Sequence, residues 1–216
     1  MNMKNPKCLR SLTTLAALVL FFLDRNMAMA GTNSVSQARP SCCEEIKSST
    51  PLSDSSVYQL VSDWMTDAGR TVKLGSLRGR SQVVAMIFTT CQGACPLLVH
   101  QIQQLEASLP PNVLTNTGFL LVTFNPERDT PEALQAYRTT RKLADDRWTL
   151  LTGRPEDVRE LALVLGVKYR KEASGQFSHS NLITILNPGG EISYQQTGLN
   201  NSGAELARRL AHLVKP

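Results

Sequence analysis

The chain has 216 residues, a formal net charge of +5, and 42% hydrophobic against 19% charged residues. Residues 1–30 hold Lys4, Lys7, Arg10 and Arg25 against the single acid Asp24, so only +2 remains beyond them. That is too mild to argue for nucleic acid or an anionic membrane as partner, and the remaining length suits one domain with one core, read as a monomer.

In chain order, the basic residues lead into the apolar run "SLTTLAALVLFFL", Ser11 to Leu23. "AMA", Ala28 to Ala30, has the small-x-small form of a cleavage site. Residues 1–30 therefore read as a secretory signal, with Gly31 as the mature N-terminus. The run is short for a bilayer span and Asp24-Arg25 ends it, so an uncleaved membrane anchor is the lesser alternative. Residues 31–56 are rich in Ser, Thr and Pro, show no apolar period and read as a flexible arm. The domain proper is residues 57–216. "VYQLVSDWM" and "TVKL" read as two short strands joined at "TDAGR", an N-terminal hairpin. "QVVAMIF", Gln82 to Phe88, is a continuous apolar run, as expected of a strand buried on both faces. A helix follows with apolar Leu98, Ile102 and Leu105, and Pro110-Pro111 stops it.

"GFLLVTF" is a second buried strand. "DTPEALQAYRTTRKL" opens as a helix, with Asp129 or Thr130 as cap and Pro131 in the first turn. "WTLLTG" reads as a strand and "RPEDVRELALVLG" as a helix closed by Gly166. "NLITILN" and "EISYQQT" are strands around "PGG", and "AELARRLAHLV" is a last helix. The order predicts an α/β domain: a central mixed β-sheet flanked by helices, with the extra hairpin at its N-terminus.

"FTTCQGACPLLVH", Phe88 to His100, sets Cys91 and Cys95 four residues apart at the strand-to-helix junction. A C-x-n-C pair at that junction fits a thioredoxin-like fold. Pro96 suits a first helical turn, where its missing N–H costs nothing. The helix N-terminus favours thiolate over thiol. Gly93 and Ala94 are small enough for the loop to fold back. Two chemistries stay open. Oxidised, Cys91 and Cys95 close a small disulfide. Reduced, they bite one soft metal ion, copper(I) or zinc.

Three histidines compete to be a third ligand. His100 follows Cys95 by five residues, about 140° around a helix of 3.6 residues per turn, and reads as a half-exposed helix residue. His212 lies beside Arg208 and Arg209 near the end of the last helix and reads as surface. His179, in "GQFSHSNLITIL", sits where a loop runs into an apolar strand, a place where sites are built. Spacing alone leaves it open between ligand and bystander. Cys42-Cys43 lies in the arm. It reads as free or externally bridged thiols, since adjacent cysteines strain a mutual bridge, or as a mobile soft-metal hand.

Taken together, "FTTCQGACPLL", "NPERDTPEALQAY" and "SHSNLITILNPGGE" resemble the Sco/SenC family, thioredoxin-like copper-binding proteins of the periplasm and the mitochondrial inner membrane. The resemblance runs from about Val57 to Pro216, with the three motifs in family order. It implies Cys91, Cys95 and His179 as copper ligands, with Cys91 and Cys95 also a redox-active disulfide pair. It implies Cu(I) or Cu(II) as cargo and a periplasmic copper chaperone as the function. The client would be a copper enzyme such as a cytochrome c oxidase subunit, at its binuclear copper centre, with a periplasmic copper donor or thiol reductant upstream. The alternative is a thiol–disulfide oxidoreductase that reduces the client's metal-ligand cysteines. This chain departs from the family pattern at Gln92, where Pro is usual, and at Asn125 and Ser178, where Asp is usual. Losing two acids leaves the surroundings more neutral.

If residues 1–30 are a cleaved signal, N-terminal sequencing of the exported protein returns Gly31. Recovery of Met1 on a membrane-bound product makes residues 11–23 an anchor instead.

Overall fold

The computed structural model describes residues 51–199 and 203–214. Residues 1–30, read from sequence as a signal, and Cys42-Cys43 lie outside them.

The described chain opens on a 3₁₀ turn, Val57–Gln59, where a strand was expected. Ser56 explains the change: its Oγ accepts from the Tyr58 N–H at 3.1 Å and donates to Gly189 O at 2.6 Å. Val57 N–H donates to Gly190 O at 2.9 Å. The segment is thereby capped and tied to a distant turn rather than left to pair in a sheet. Gly190 has φ +87, and any Cβ there would run into Tyr58 and Ser56. That turn is glycine because its φ is left-handed and the Tyr58 ring and Ser56 hydroxyl sit on it.

The N-terminal hairpin is β1 (Asp63–Thr66) and β2 (Thr71–Lys73). β3 (Ser81–Ile87) and β4 (Thr117–Thr123) are buried at every position, as their unbroken apolar runs predict. α1 (Ala94–Ser108) follows β3. Pro110-Pro111 ends α1 and also starts a short helix, α2 (Pro111–Thr115), because proline is at home in a first turn. α3 (Pro131–Arg141) is capped by Thr130, whose Oγ1 accepts from Ala133 N–H at 3.3 Å. β5 (Trp148–Gly153) and α4 (Pro155–Leu165) follow, and Gly166 closes α4 at φ +71. β6 (Tyr169–Lys171) and β7 (Phe177–His179) form a small separate hairpin. β8 (Leu182–Leu186), β9 (Ile192–Thr197) and α5 (Ala204–Leu213) complete the fold.

The main sheet has seven strands in the order β2-β1-β5-β4-β3-β8-β9. β3, β4 and β5 are parallel, and the other pairings are antiparallel. The sheet is mixed, as predicted. α1 packs on β3 and against α5, while α3 and α4 pack on β5. No helix among the described residues is long and apolar enough to cross a membrane.

Register decides where chemistry can gather. Ile87 pairs with Thr123 in the parallel β3–β4 ladder, so both chains leave the sheet at the same end. Ala85 pairs with Ile183 in the antiparallel β3–β8 ladder, so residues after Ile87 face residues before Leu182. The cysteine loop, the 124–129 turn and His179 thus converge on one end of the sheet.

The hairpin is pinned to α3 by a buried ion pair. Arg138 is 7% exposed and grips Asp67 with two nitrogens, Nε to Oδ2 and Nη2 to Oδ1. Its Nη2 also donates to Trp148 O at 2.9 Å. Arg138 Nη1 also meets the exposed Asp145 at 3.3 Å, but removing the buried partner of such a pair still costs about 3–5 kcal/mol. Asp67→Ala should lower unfolding free energy by that amount in denaturant melts, and a loss below about 1 kcal/mol would show that the pair behaves as a surface contact.

Candidate metal centre

β3 ends at Ile87 because the chain must leave the sheet to reach α1. Cys91 N–H turns back to Phe88 O at 3.2 Å, which sets Cys91 in a half-buried loop. Gln92 and Gly93 are exposed. α1 begins at Ala94, so Cys95 and Pro96 fill its first turn, as expected. Cys95 is 0% exposed, and its N–H points at Cys91 Sγ at 3.5 Å. Both cysteines are free thiols.

His179 arrives at the end of β7 and pairs there with Tyr169 of β6. Its Nε2 lies 3.6 Å from Cys95 Sγ. Its Nδ1 lies 3.2 Å from Ser180 O. A carbonyl only accepts, so the proton of a neutral ring belongs on Nδ1. Nε2 is then the bare nitrogen, turned toward the thiols. Aromatic rings hold the imidazole in place. The Phe88 ring meets it edge-on at 6.1 Å and the Phe124 ring at 5.1 Å. Phe177 packs at 5.3 Å from both phenylalanines, and Tyr169 stacks on Phe124 at 5.2 Å.

The sulfurs of Cys91 and Cys95 and the ring nitrogen of His179 all lie within 4.8 Å of one another. His100 and His212 are exposed on α1 and α5 and stand outside this cluster. Among the described residues this is the one group of three or more His, Cys, Asp or Glu close enough to hold a metal ion.

One electrostatic expectation fails. The helix N-terminus was expected to favour the Cys95 thiolate. Burial instead pushes the Cys95 thiol far up, and the neighbouring Cys91 and Asp129 add to the rise. The dipole at a helix start offers about 0.3–1 kcal/mol. Full burial of an ionisable group shifts its pKa by up to about 3–5 units. Burial therefore wins, and the metal-free thiol keeps its proton at neutral pH.

Three features were missed in the sequence. The β6–β7 hairpin carries His179, although "YRKEASGQFSH" alternates around Gly175, which has φ +79. The aromatic box was not read because its rings come from three separate segments. Of the two cap candidates, Thr130 caps α3, while Asp129 has a role the sequence did not show: it is 0% exposed and its carboxyl turns to Thr89 and Thr123. Asn125, in place of an expected acid, is 3% exposed, and its backbone O accepts from Arg128 and Asp129. Ser178 is exposed on the opposite side of β7 from the inward-leaning Phe177 and His179.

The SCO1/SenC family model matches residues 55–215. This chain belongs to the SCO1/SenC family. A SCO1 protein homolog of Bacillus subtilis is 27% identical over 139 residues, 62% of this chain and 70% of the relative. The copper-bound structure of ScoI from Bradyrhizobium japonicum superposes with a TM-score of 0.60 at 20% identity, over 70% of this chain and 96% of that one. BsSco, a member of the Sco family of cytochrome c oxidase assembly proteins with an identified disulfide switch, superposes with a TM-score of 0.63 at 22% identity, over 70% of this chain and 90% of that one. At those identities the superpositions establish the thioredoxin-like Sco fold.

Exposure and protonation together order the two thiols. Cys91 is half-buried, whereas Cys95 is sealed and holds its proton. Iodoacetamide at pH 8 should therefore alkylate Cys91 at least about tenfold faster than Cys95, since only thiolate reacts. Denaturant should erase the difference. Equal rates in the folded protein would contradict the burial of Cys95.

Proposed function

We propose that this protein is a periplasmic copper chaperone that holds copper through Cys91, Cys95 and His179. The observation that carries the reading is the convergence of two sulfurs and one bare imidazole nitrogen within 4.8 Å. Thiolates select soft copper(I), and an imidazole nitrogen widens the set to copper(II). Membership of the SCO1/SenC family supports copper over zinc, as does the copper-bound ScoI relative of the same fold.

Copper is cargo here. Its arrival displaces the thiol protons, so uptake releases acid and strengthens as pH rises. The ligands differ in access. Cys95 is sealed, whereas Cys91 and His179 are both half-buried, and Cys91 borders the exposed Gln92 and Gly93. An incoming ligand from a client reaches Cys91 or His179 before Cys95, so release proceeds by exchange that ends at the sealed Cys95 sulfur. The client is a copper enzyme, with the binuclear centre of cytochrome c oxidase as the first candidate. The oxidase-assembly description of BsSco supports this choice. Residues 1–30 serve as the cleavable signal that takes the chain to the periplasm, where a copper donor or thiol reductant loads or resets it.

A second reading is favoured by one observation. Both cysteines are free, and Cys95 N–H already points at Cys91 Sγ at 3.5 Å. A disulfide of about 2.05 Å needs only the small Gln92-Gly93-Ala94 loop to tighten. The pair then reduces a client disulfide by thiol–disulfide exchange, and His179 is not required.

His179→Ala separates the two. It should weaken copper(II) binding by more than about a hundredfold, the upper end of what loss of a mere outer-shell partner costs. Copper(I) binding should fall less, and the thiols should still cycle. Cys91→Ser or Cys95→Ser should abolish both activities. Metal titration of His179→Ala beside client activity is the check. Unchanged copper binding with a normal client removes His179 from the site and puts the reductase reading first.

A further inference from the structure

We infer that Asp129 is a positioning residue of the copper site: its buried carboxyl clamps the cysteine loop to the end of β4. The inference rests on the ligand assignment above and concerns what keeps those ligands together.

Asp129 is 0% exposed. Oδ2 accepts from the backbone N–H of Thr89 at 3.0 Å and Oδ1 from the Thr89 hydroxyl at 2.5 Å. Oδ2 also accepts from the hydroxyl of Thr123. Thr89 stands two residues before Cys91, at the point where the chain has left β3. Thr123 is the last residue of β4 and pairs with Ile87, the last of β3. One carboxyl thus spans the two strand ends from which the site is built.

The clamp continues through the backbone. Asn125 N–H donates to Thr123 Oγ1 at 2.9 Å, and Asp129 N–H donates to Asn125 O at 2.9 Å. The 124–129 turn is therefore closed on itself. It also reaches the segment that carries His179. Phe124 packs on Tyr169, Phe177 and His179. Glu127 pairs with Lys171 of β6 at 2.8 Å, an exposed contact worth little alone. One short turn therefore touches the cysteine loop on one side and the histidine hairpin on the other.

A helix cap does not need this arrangement. Thr130 already caps α3. Nor does the sheet, whose ladders are complete without a side-chain link. What lacks any regular support is the stretch Thr89–Gly93, which is neither strand nor helix. Asp129 supplies its tether, and a tethered loop holds Cys91 at a high effective concentration against Cys95.

The test reads the thiols without copper. The full chain is equilibrated in reduced and oxidised glutathione, and the peptide carrying Cys91 and Cys95 is weighed. Forming the Cys91–Cys95 bond releases two protons and two electrons, and glutathione disulfide takes both up as it splits into two thiols. Thr89→Val removes one hydroxyl donor and keeps the shape and charge. Asp129→Asn leaves one accepting oxygen where two are used. Each should shift the equilibrium toward the dithiol by about tenfold, through lost effective concentration. Thr89→Ser should restore it. The copper(II) absorption spectrum should change in the same variants and recover in Thr89→Ser. Wild-type equilibria in both Thr89→Val and Asp129→Asn, even with lowered melting temperatures, would reduce Asp129 to a structural residue and overturn the inference. Failure of the wild-type chain to take copper would defeat the proposed function instead, and the glutathione equilibria would still decide the role of Asp129.

Discussion

The site depends on the register of β3. This buried strand pairs parallel with β4 and antiparallel with β8. The parallel partner delivers the 124–129 turn to the end where β3 stops. The antiparallel partner delivers the residues that precede Leu182 to that same end. Neither cysteine is near His179 in sequence, yet Cys95 Sγ and His179 Nε2 are 3.6 Å apart. A slip of one residue in the β3–β8 ladder would exchange the two faces of β8. Both faces of Leu182–Leu186 are buried, and Thr184 takes a hydrogen bond from Gln195 at 3.0 Å, so a slip would mismatch close packing on each side and strand that hydroxyl. The geometry of the cluster is thus fixed by core packing some distance away.

Much of this was legible in the sequence, for physical reasons. β3 and β4 are unbroken apolar runs because helices cover both faces, and such runs are hard to mistake. The cysteines announce themselves by spacing, and Pro96 marks the first turn of α1. The expectations that failed share a cause: each depends on a partner far along the chain. Val57–Gln59 reads as strand by composition, but Ser56 and Gly190 capture it as a turn. The cap of α3 was local enough to narrow to Asp129 or Thr130, but the sequence could not choose between them, because the donors to Asp129 are 40 residues back, at Thr89, and at the end of β4. The β6–β7 hairpin is short, and its buried face is supplied by Phe88 and Phe124 from elsewhere. His179 could be weighed from spacing alone only as an even choice for that reason.

Burial and the helix dipole pull Cys95 in opposite directions. The sequence shows only the dipole, because N-terminal position is local. The structure adds the 0% exposure of Cys95 and the apolar packing around it, and the balance reverses. The reversal has a chemical meaning. A thiol that keeps its proton resists stray alkylation and slow air oxidation, both of which need thiolate. A soft cation that displaces the proton lifts the penalty, since the thiolate then has a partner. Cys95 is thus silent toward electrophiles and responsive toward a soft metal.

The departures at Asn125 and Ser178 can now be weighed by position. Asn125 is buried, and its work is done by backbone atoms that any side chain would leave in place. Ser178 is exposed and faces away from the inner side of β7 that carries Phe177 and His179. Neither substitution touches the three candidate ligand atoms, so the loss of two acids does not alter what those atoms can hold. It alters the surroundings. Arg170 pairs across the hairpin with Ser178 and forms an ion pair with Glu172 at 3.1 Å, while Lys171 meets Glu127 at 2.8 Å, so the outer side of the histidine hairpin carries both signs. The three candidate ligand atoms sit in a geometry that both departures spare, and of the two only Ser178 lies where solvent reaches it.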